Sequence, residues 1–460
     1  MRTVLILCMI FSLGLVSGRS QGQTVSPEKS PIDSYVEEAF VSNLVLQQKN
    51  VSLDKALLAL QTARSLFLPS VAFQMNYQTA DGGRQIPLPL GDLLNGTYAT
   101  LNQLTGTQAF PQLENQSITF LPKNFYDAKV RTTVPVINAD LIYNKKISEQ
   151  QIVLHEYEVE TYKRELVKNV KSAYYTYLNA LNAIGIYQSS LGLAQEGKRV
   201  NEKLLESGKG LPAYILRANS EIASVQAQLT QAKQQAENAR LYFNSLLNRN
   251  ADLAVDTAFD TDAELARVSV QVNGAIAAGE REELKSLRQV IGLNETVVKM
   301  NQSFWIPKLS GFLDLGTQAE NWKYNKESRY YLAGLQFDIP VFAGNNNRRK
   351  ISQSRLDLKN AQLNLEQVKQ QLSLSSSVAL NNLRSAWETY RSSTVQLDAA
   401  ESYQRLIERG FRAGSNTYIE TVDARNQLTA ARMALTINKY NVLTAAAALE
   451  RETASFNLNK

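Results

Sequence analysis

Two carboxylates three residues apart, Glu420 and Asp423, lie in the stretch "RAGSNTYIETVDARNQLTAA" that runs from Arg412 to Ala431. A spacing of three places both on one face of a helix. Such a pair can attract cations, share a proton or serve acid–base chemistry. The same letters also spell a structural device. Thr417-Tyr-Ile-Glu420 is a capping box, and both acids suit the positive end of a helix. At this level the functional and structural readings both stand. The rest of the chain argues against catalysis. Among 460 residues there is one histidine, His155, and one cysteine, Cys8. A Ser-His-Asp triad or a His/Cys metal site has too few parts, and His155 reads as a residue of a long polar helix. "SGKG" at Ser207–Gly210 lacks phosphate-loop spacing and reads as a turn between helices. No enzyme activity and no cofactor are expected.

The turn before the carboxylates is written twice. "GKGLPAYILRANSEIASVQA" (Gly208 to Ala227) precedes it by about two hundred residues. Aligning Gly414 with Gly210 puts Tyr418-Ile419 on Tyr214-Ile215, and then only the second copy has the acids.

The elements that hold these turns form two halves with one plan. The N-terminal run Val4–Val16 behind Arg2, followed by "SGRSQGQ", predicts a secretory signal over 1–22; it is too short to span about 30 Å of hydrocarbon. Cys8 falls inside it, so the mature chain has no thiol, which suits a bacterial envelope. The net charge of +6 is spread along the chain without a dense basic block, so no nucleic-acid partner is expected. Each half starts with an amphipathic helix, Ile32–Leu66 or Glu282–Phe304, then meets a proline and changes period. "PSVAFQMNYQT" (Pro69–Thr79) and "PKLSGFLDLGTQ" (Pro307–Gln318) alternate as strands, with Val71, Phe73, Met75 and Tyr77 matching Leu309, Gly311, Leu313 and Leu315. Second strands follow at Ala128–Val136 and Gly334–Val341, where Leu335 and Phe337 continue the apolar face.

Alternation fits a soluble sheet with one wet face, or a membrane strand between lipid and a watery lumen. Phe67, Phe304, Trp305, Trp322, Tyr324, Tyr330 and Tyr331 flank the hairpins and favour the membrane. Four strands cannot close a barrel, and an open edge in lipid is forbidden, so an oligomer is implied. The first hairpin has an outer loop of about 45 residues, 80–125, read either as a lid or as a loop without a gating role. Proline-free helical stretches follow at Leu141–Leu205 and Asn347–Gly410, with returning helices at Pro212–Leu247 and Thr417–Thr453. In the second half the apolar register Ala361, Leu365, Val368, Leu372, Ser375, Ala379, Leu383, Ala386, Tyr390, Ser393, Leu397, Ala400 is a near-heptad seam. The Gln-, Asn- and Ser-rich remainder suits helices wet on two sides, as in a hollow cylinder.

In this order the segments "YVEEAFVSNLVLQ", "LPSVAFQMNY", "VPVINADLIYNKKI", "DIPVFAGNNNRRKI" and "RAGSNTYIETVDARNQL" resemble the outer-membrane efflux (TolC) family over nearly the whole mature chain. The resemblance implies a mainly α fold with membrane β, in duplicated half-repeats. Residues 23–250 form the first repeat, with hairpin 69–136 and a tip near 208–214. A linker at 251–280 joins an equatorial belt. Residues 281–460 form the second repeat, with hairpin 307–341 and a tip near 411–417. It also implies a homotrimer that completes a 12-stranded barrel above a helical periplasmic tunnel. The tunnel would meet a periplasmic adaptor and an inner-membrane transporter of the RND, ABC or a similar class.

By the same resemblance, Gly210, Leu211, Gly414 and Ser415 would dock the adaptor, and Glu420 and Asp423 would form the constriction. Three copies would then ring the pore with six carboxylates and favour cations. The family's latch positions are altered here, to Phe411 and Asn416, and the first-half position matching an acidic family residue is Leu216. Val71, Phe73, Met75, Tyr77, Leu313, Leu315, Leu335 and Phe337 would face outer-membrane lipid. The expected function is the exit duct of a tripartite efflux or type I secretion system. A structural coiled-coil envelope protein without a pore is the alternative.

Overall fold

The computed structural model describes residues 30–273 and 280–458; the expected secretory segment and linker residues 274–279 lie outside them. The chain opens with α1 (Pro31–Ser42) and α2 (Leu44–Ser65), where the sequence suggested one helix. Asn43 separates them. Its side chain caps α2 by accepting from Leu46 N at 3.0 Å, and its Nδ2 donates to Leu246 O at 2.8 Å. An Asn side chain that competes with the helical backbone in this way favours a break.

Four strands form one antiparallel sheet in the order β1-β4-β5-β6: β1 (Ser70–Gln78), β4 (Phe125–Ile137), β5 (Lys308–Glu320) and β6 (Arg329–Asp338). The central β4–β5 pairing joins the two repeats, and β1 and β6 are left as edges. β6 starts earlier and stops earlier than the alternation suggested. Tyr330 and Tyr331 are therefore strand residues on opposite faces, and Ile339 and Val341 fall outside it. Between β1 and β4 the outer loop carries structure of its own. A ribbon of β2 (Gln85–Leu88) and β3 (Gln116–Thr119) encloses α3 (Leu90–Thr105). Asn95 and Asn102, two turns apart on one face of α3, each grip the backbone of the returning segment. Asn95 accepts from Leu113 N and donates to Leu113 O; Asn102 does the same with Phe110. Two side chains thus stand in for a missing strand partner.

The helical part is two long hairpins. α4 (Ala139–Glu206) returns through α5 (Pro212–Leu246), and α8 (Asn346–Arg412) through α9 (Tyr418–Glu452). At 68 and 67 residues, α4 and α8 each extend about 100 Å. Every residue of the α8 seam read from the sequence, Ala361 to Ala400, is buried or half-buried. α9 packs on both α8 and α4, which ties the hairpins together. No helix among the described residues is long and apolar enough to cross a membrane.

Midway along the bundle, α6 (Thr261–Asn273), α7 (Glu282–Gln302), α1 and the C-terminal residues wrap the long helices. The main core lies here, around Val36, Leu46, Leu166, Val170, Tyr174, Phe243 and Leu443. Beside it runs an ion network. Arg164 holds Glu282 through two bonds of 2.5 and 2.7 Å and also donates to the carbonyls of Ala454 and Phe456. Arg281 bridges Glu283 and Glu452, and Arg451 reaches Glu165 and Glu283.

Candidate functional site

The strand register sorts the sheet into two faces. Val71, Phe73, Met75 and Tyr77 align through β4 with Leu313 and Leu315, and Leu335 and Phe337 extend the same face on β6. All eight are exposed in the single chain, Phe73 at 69% and Leu335 at 72%. At one end Trp322 is sandwiched between Tyr77 and Tyr126, with ring centres 5.3 and 5.4 Å away. The opposite face is charged, and its charges pair across strands. Arg131 makes a two-pronged bond to Asp314 at 2.7 and 2.6 Å, and Asp127 accepts from Lys129 and from the Tyr330 hydroxyl. Gly316 and Gly334 leave room for Lys129 and Phe312 on this face.

At the far end the hairpins turn in matching geometry. Gly208 (φ 73°) follows α4 and Gly414 (φ 81°) follows α8. In each turn the next N–H reaches back five residues, Lys209 N to Leu204 O and Ser415 N to Gly410 O, both at 2.8 Å. The returning helices begin four residues after each glycine and are 35 residues long. The repeats therefore correspond at the Gly208-to-Gly414 spacing of 206 residues. The alignment of Gly210 with Gly414 is two residues out of step. Gly210 corresponds instead to Asn416, and Leu204 to Gly410.

This pairing explains why each tip needs a second glycine. The loop crosses close over the last turn of the descending helix, so one of the two positions must lack a side chain. In the first tip it is the loop residue: a Cβ on Gly210 would lie 2.5 Å from Leu205 N and 2.9 Å from Leu204 C. In the second it is the helix residue, Gly410, which faces the Asn416 side chain. Backbone cannot move aside, but an Asn side chain can. Gly210→Ala should therefore destabilise its tip by about 1–3 kcal/mol, and Gly410→Ala by less. Hydrogen exchange over residues 204–212 and 410–418 measures both; equal protection in the two variants would contradict the argument.

Glu420 is engaged by the capping box. Its Oε2 accepts from Thr417 N at 2.6 Å, from the Thr417 hydroxyl at 3.1 Å and from Asn416 Nδ2 at 3.2 Å, while Glu420 N donates to Thr417 Oγ1. These bonds, the Thr417 backbone first, hold its carboxyl below the usual range. Asp423 is exposed and accepts from Gln427 Nε2 at 2.7 Å. Leu211 N-caps α5 through its backbone and is exposed, as are Leu216, Gly414 and Ser415. Among the described residues no cluster of His, Cys, Asp or Glu could hold a metal ion.

Sequence reasoning missed a buried contact just above the turns. Tyr418 is fully buried, and its hydroxyl donates to Glu221 Oε2 at 3.3 Å. Its ring meets Tyr214 and Phe411, so the altered latch position Phe411 lies in an aromatic cluster. Burial raises the Glu221 carboxyl above its ordinary range, partly offset by the Arg425 charge; burial and Glu221 push the Tyr418 hydroxyl up to about 12. A legible signal existed. Glu221 occupies the register Ala218, Val225, Leu229, Ala232 that α5 buries, where an acid is out of pattern.

A family model described as outer membrane efflux protein matches residues 126–249 and 276–454. Similar sequences include the alkaline protease secretion protein AprF of Pseudomonas aeruginosa, 24% identical over 341 residues, 70% of this chain and 69% of that protein. The outer membrane protein TolC of Escherichia coli is 22% identical over 429 residues, 88% of this chain and 78% of TolC. Among solved structures, the Campylobacter jejuni CmeC outer membrane channel gives a TM-score of 0.72 at 13% identity, covering 100% of this chain and 95% of that one. The open state of the Neisseria gonorrhoeae MtrE channel gives 0.70 at 14% identity, covering 92% and 89%.

Proposed function

The chain belongs to the outer membrane efflux protein family, and from that premise we propose that it is the passive, trimeric exit duct of a tripartite efflux or type I secretion system. Membership places it in the outer membrane with a large periplasmic part, as a channel and not an enzyme. The observation that carries the finer reading is the sheet. It has four strands, two unpaired edges and an exposed apolar face, and it continues into helices about 100 Å long. Unpaired edges cannot remain in lipid, so β1 of one copy pairs with β6 of the next. Three copies give twelve strands, with Val71, Phe73, Met75, Tyr77, Leu313, Leu315, Leu335 and Phe337 toward the acyl chains. The charged face, self-neutralised in pairs, lines the water.

The tips, with Leu211, Gly414 and Ser415 exposed and Gly210 half-buried beneath them, receive a periplasmic adaptor that connects the duct to an inner-membrane transporter. The tunnel narrows where α9 presents Asp423. Glu420 supports that helix end through its cap, so the proposed lining carboxylate is Asp423. A coiled-coil envelope protein without a pore leaves the apolar face and the open sheet edges without a purpose. The test is a heat-modifiable trimer in outer-membrane fractions that carries ionic current in a planar bilayer. A monomer, or a trimer without current, rules the reading out.

A further inference from the structure

We propose that the periplasmic rim of the barrel binds the headgroups of anionic phospholipids in the inner leaflet of the outer membrane, through a basic cluster of Arg348, Arg349 and Lys350 set just below an apolar collar. This rests on the trimeric duct reading and extends it to the lipid that seats the duct.

The collar follows from the strand register. Ser70 pairs with Thr133, Ile137 with Leu309 and Lys308 with Asp338, so β1 and β5 start where β4 and β6 end. The long helices join the sheet at this end, which makes it the periplasmic one. Each junction exposes a pair of apolar residues. Phe67 and Leu68 precede β1, Phe304 and Trp305 precede β5, and Val341 and Phe342 follow β6, the last two at 94% and 82% exposure. Val136 and Ile137 do the same at the end of β4. Directly below Phe342, α8 opens with the three cations. Asn346 to Lys350 descend about 6 Å along the helix, a distance close to the roughly 5–7 Å depth of a headgroup layer.

Nothing in the protein uses these cations. Arg348, Arg349 and Lys350 are exposed, and among the described residues none of them forms an ion pair. Nearby carboxylates are taken by others: Arg64 and Lys145 share Glu149, and Lys308 holds Asp140. Between Asp338 and Asp357 the chain carries four cations and no acid. The cluster does not help α8 either. Its first turn has no acid and no side-chain cap, and cations at that end oppose the helix dipole. A neighbouring copy offers no partner. With β6 beside the neighbour's β1, α8 starts beside the end of the neighbour's α2, and residues 55–80 contain no Asp or Glu. Adjacent cations that disfavour their own helix and meet no carboxylate call for an anion from outside the protein. The collar sets the lipid phosphates at their height, and cations near an anionic leaflet are attracted to it. The first repeat has a weaker version of the same plan. Aligning Pro135 with Pro340 matches Lys145 to Lys350, and the next residue, Lys146, is exposed.

Native mass spectrometry of the detergent-solubilised full-length trimer, titrated with phosphatidylglycerol or with phosphatidylcholine of the same acyl chains, tests the site. The parent should bind phosphatidylglycerol more tightly, and the preference should weaken as ammonium acetate is raised. Adding Arg348→Gln, Arg349→Gln and Lys350→Gln in turn should lower the preference about fivefold at each step until it is lost. Removing three exposed cations from the helical part, with Lys233→Gln, Arg384→Gln and Arg405→Gln, should leave it unchanged. Phe342→Ser should weaken both lipids alike, because the collar meets acyl chains and not headgroup charge. A parent trimer that binds the two lipids equally would overturn the site, as would a glutamine series that costs no more preference than the control triple. So would a series that lowers the melting temperature of the trimer while the lipid preference stays, since the cations would then be paired inside the assembly. In each of those outcomes the trimer persists and the duct reading stands. A monomeric parent would overturn the duct reading, and the lipid rim with it.

Discussion

Phe73→Arg should abolish the heat-modifiable trimer in the outer membrane, whereas Asn76→Arg on the same strand should leave it in place. Phe73 lies near the middle of β1, on the face that carries Met75, Leu313 and Leu315, and is 69% exposed in the single chain. An arginine at mid-depth on the lipid face of a barrel costs about 2–4 kcal/mol, and the proposed trimer incurs it three times. The substitution also removes an aromatic ring from the acyl chains. Asn76 projects to the other face, opposite Asp127, where an arginine finds water and a carboxylate. The pair separates a membrane barrel from a soluble sheet with one wet face, since a soluble sheet would tolerate an exposed arginine at either position. Unheated electrophoresis of outer-membrane fractions reads the result. A trimer of normal abundance in Phe73→Arg would remove these strands from the bilayer.

Much of this architecture was legible because two periods run through the chain with little interference. The period-two run from Val71 to Tyr77 has no competing helical pattern, and β1 matches it to within a residue at each end. The α8 seam was readable for the same reason. What escaped were features that depend on one side chain or on distant parts of the chain. Asn43 breaks the first helix by a bond to Leu246, some two hundred residues away, which no local pattern contains. Within the insertion between β1 and β4, the helical period of Leu90, Leu93, Leu94, Tyr98, Leu101 and Leu104 was present but passed over, and the grip of Asn95 and Asn102 on the returning backbone leaves no periodic signal.

The tip register failed for an instructive reason. Gly210 and Gly414 look equivalent in sequence, but one relieves a close backbone approach while the other supplies a left-handed residue. Letters alone cannot distinguish those uses, and the two-residue slip matched the acids to Leu216 where Tyr214 and Arg217 belong. The capping box at Thr417 was readable, and it takes Glu420 into the helix end.

The second large effect is expected at the equator. Arg164→Ala should destabilise the protein by about 3–5 kcal/mol, the usual consequence of leaving one member of a buried pair without its partner. Arg164 joins three segments far apart in sequence: α4, which carries it, α7 through Glu282, and the C-terminal end through the carbonyls of Ala454 and Phe456. Glu282 is nearly inaccessible. Burial alone would raise its carboxyl, but the Arg164 bonds, its own backbone N–H and the Arg164 charge together leave it lowered. The lowered value fixes the sign of the pH response. In the parent the pair's stabilisation is complete above the unfolded carboxylate range and is lost as pH falls through the lowered value. Without Arg164 the burial contribution dominates, the carboxyl titrates above its ordinary range, and acidification protonates a group that is costly to keep charged. Mild acid should therefore narrow the gap between variant and parent. Glu282→Gln in the Arg164→Ala background should recover part of the loss at neutral pH and remove that narrowing. Urea midpoints of the detergent-solubilised parent, single variant and double variant, each at neutral pH and in the carboxylate range, measure the effect. A gap that widens in acid would mean that Glu282 does not depend on Arg164, and that the equator is held by its apolar core alone.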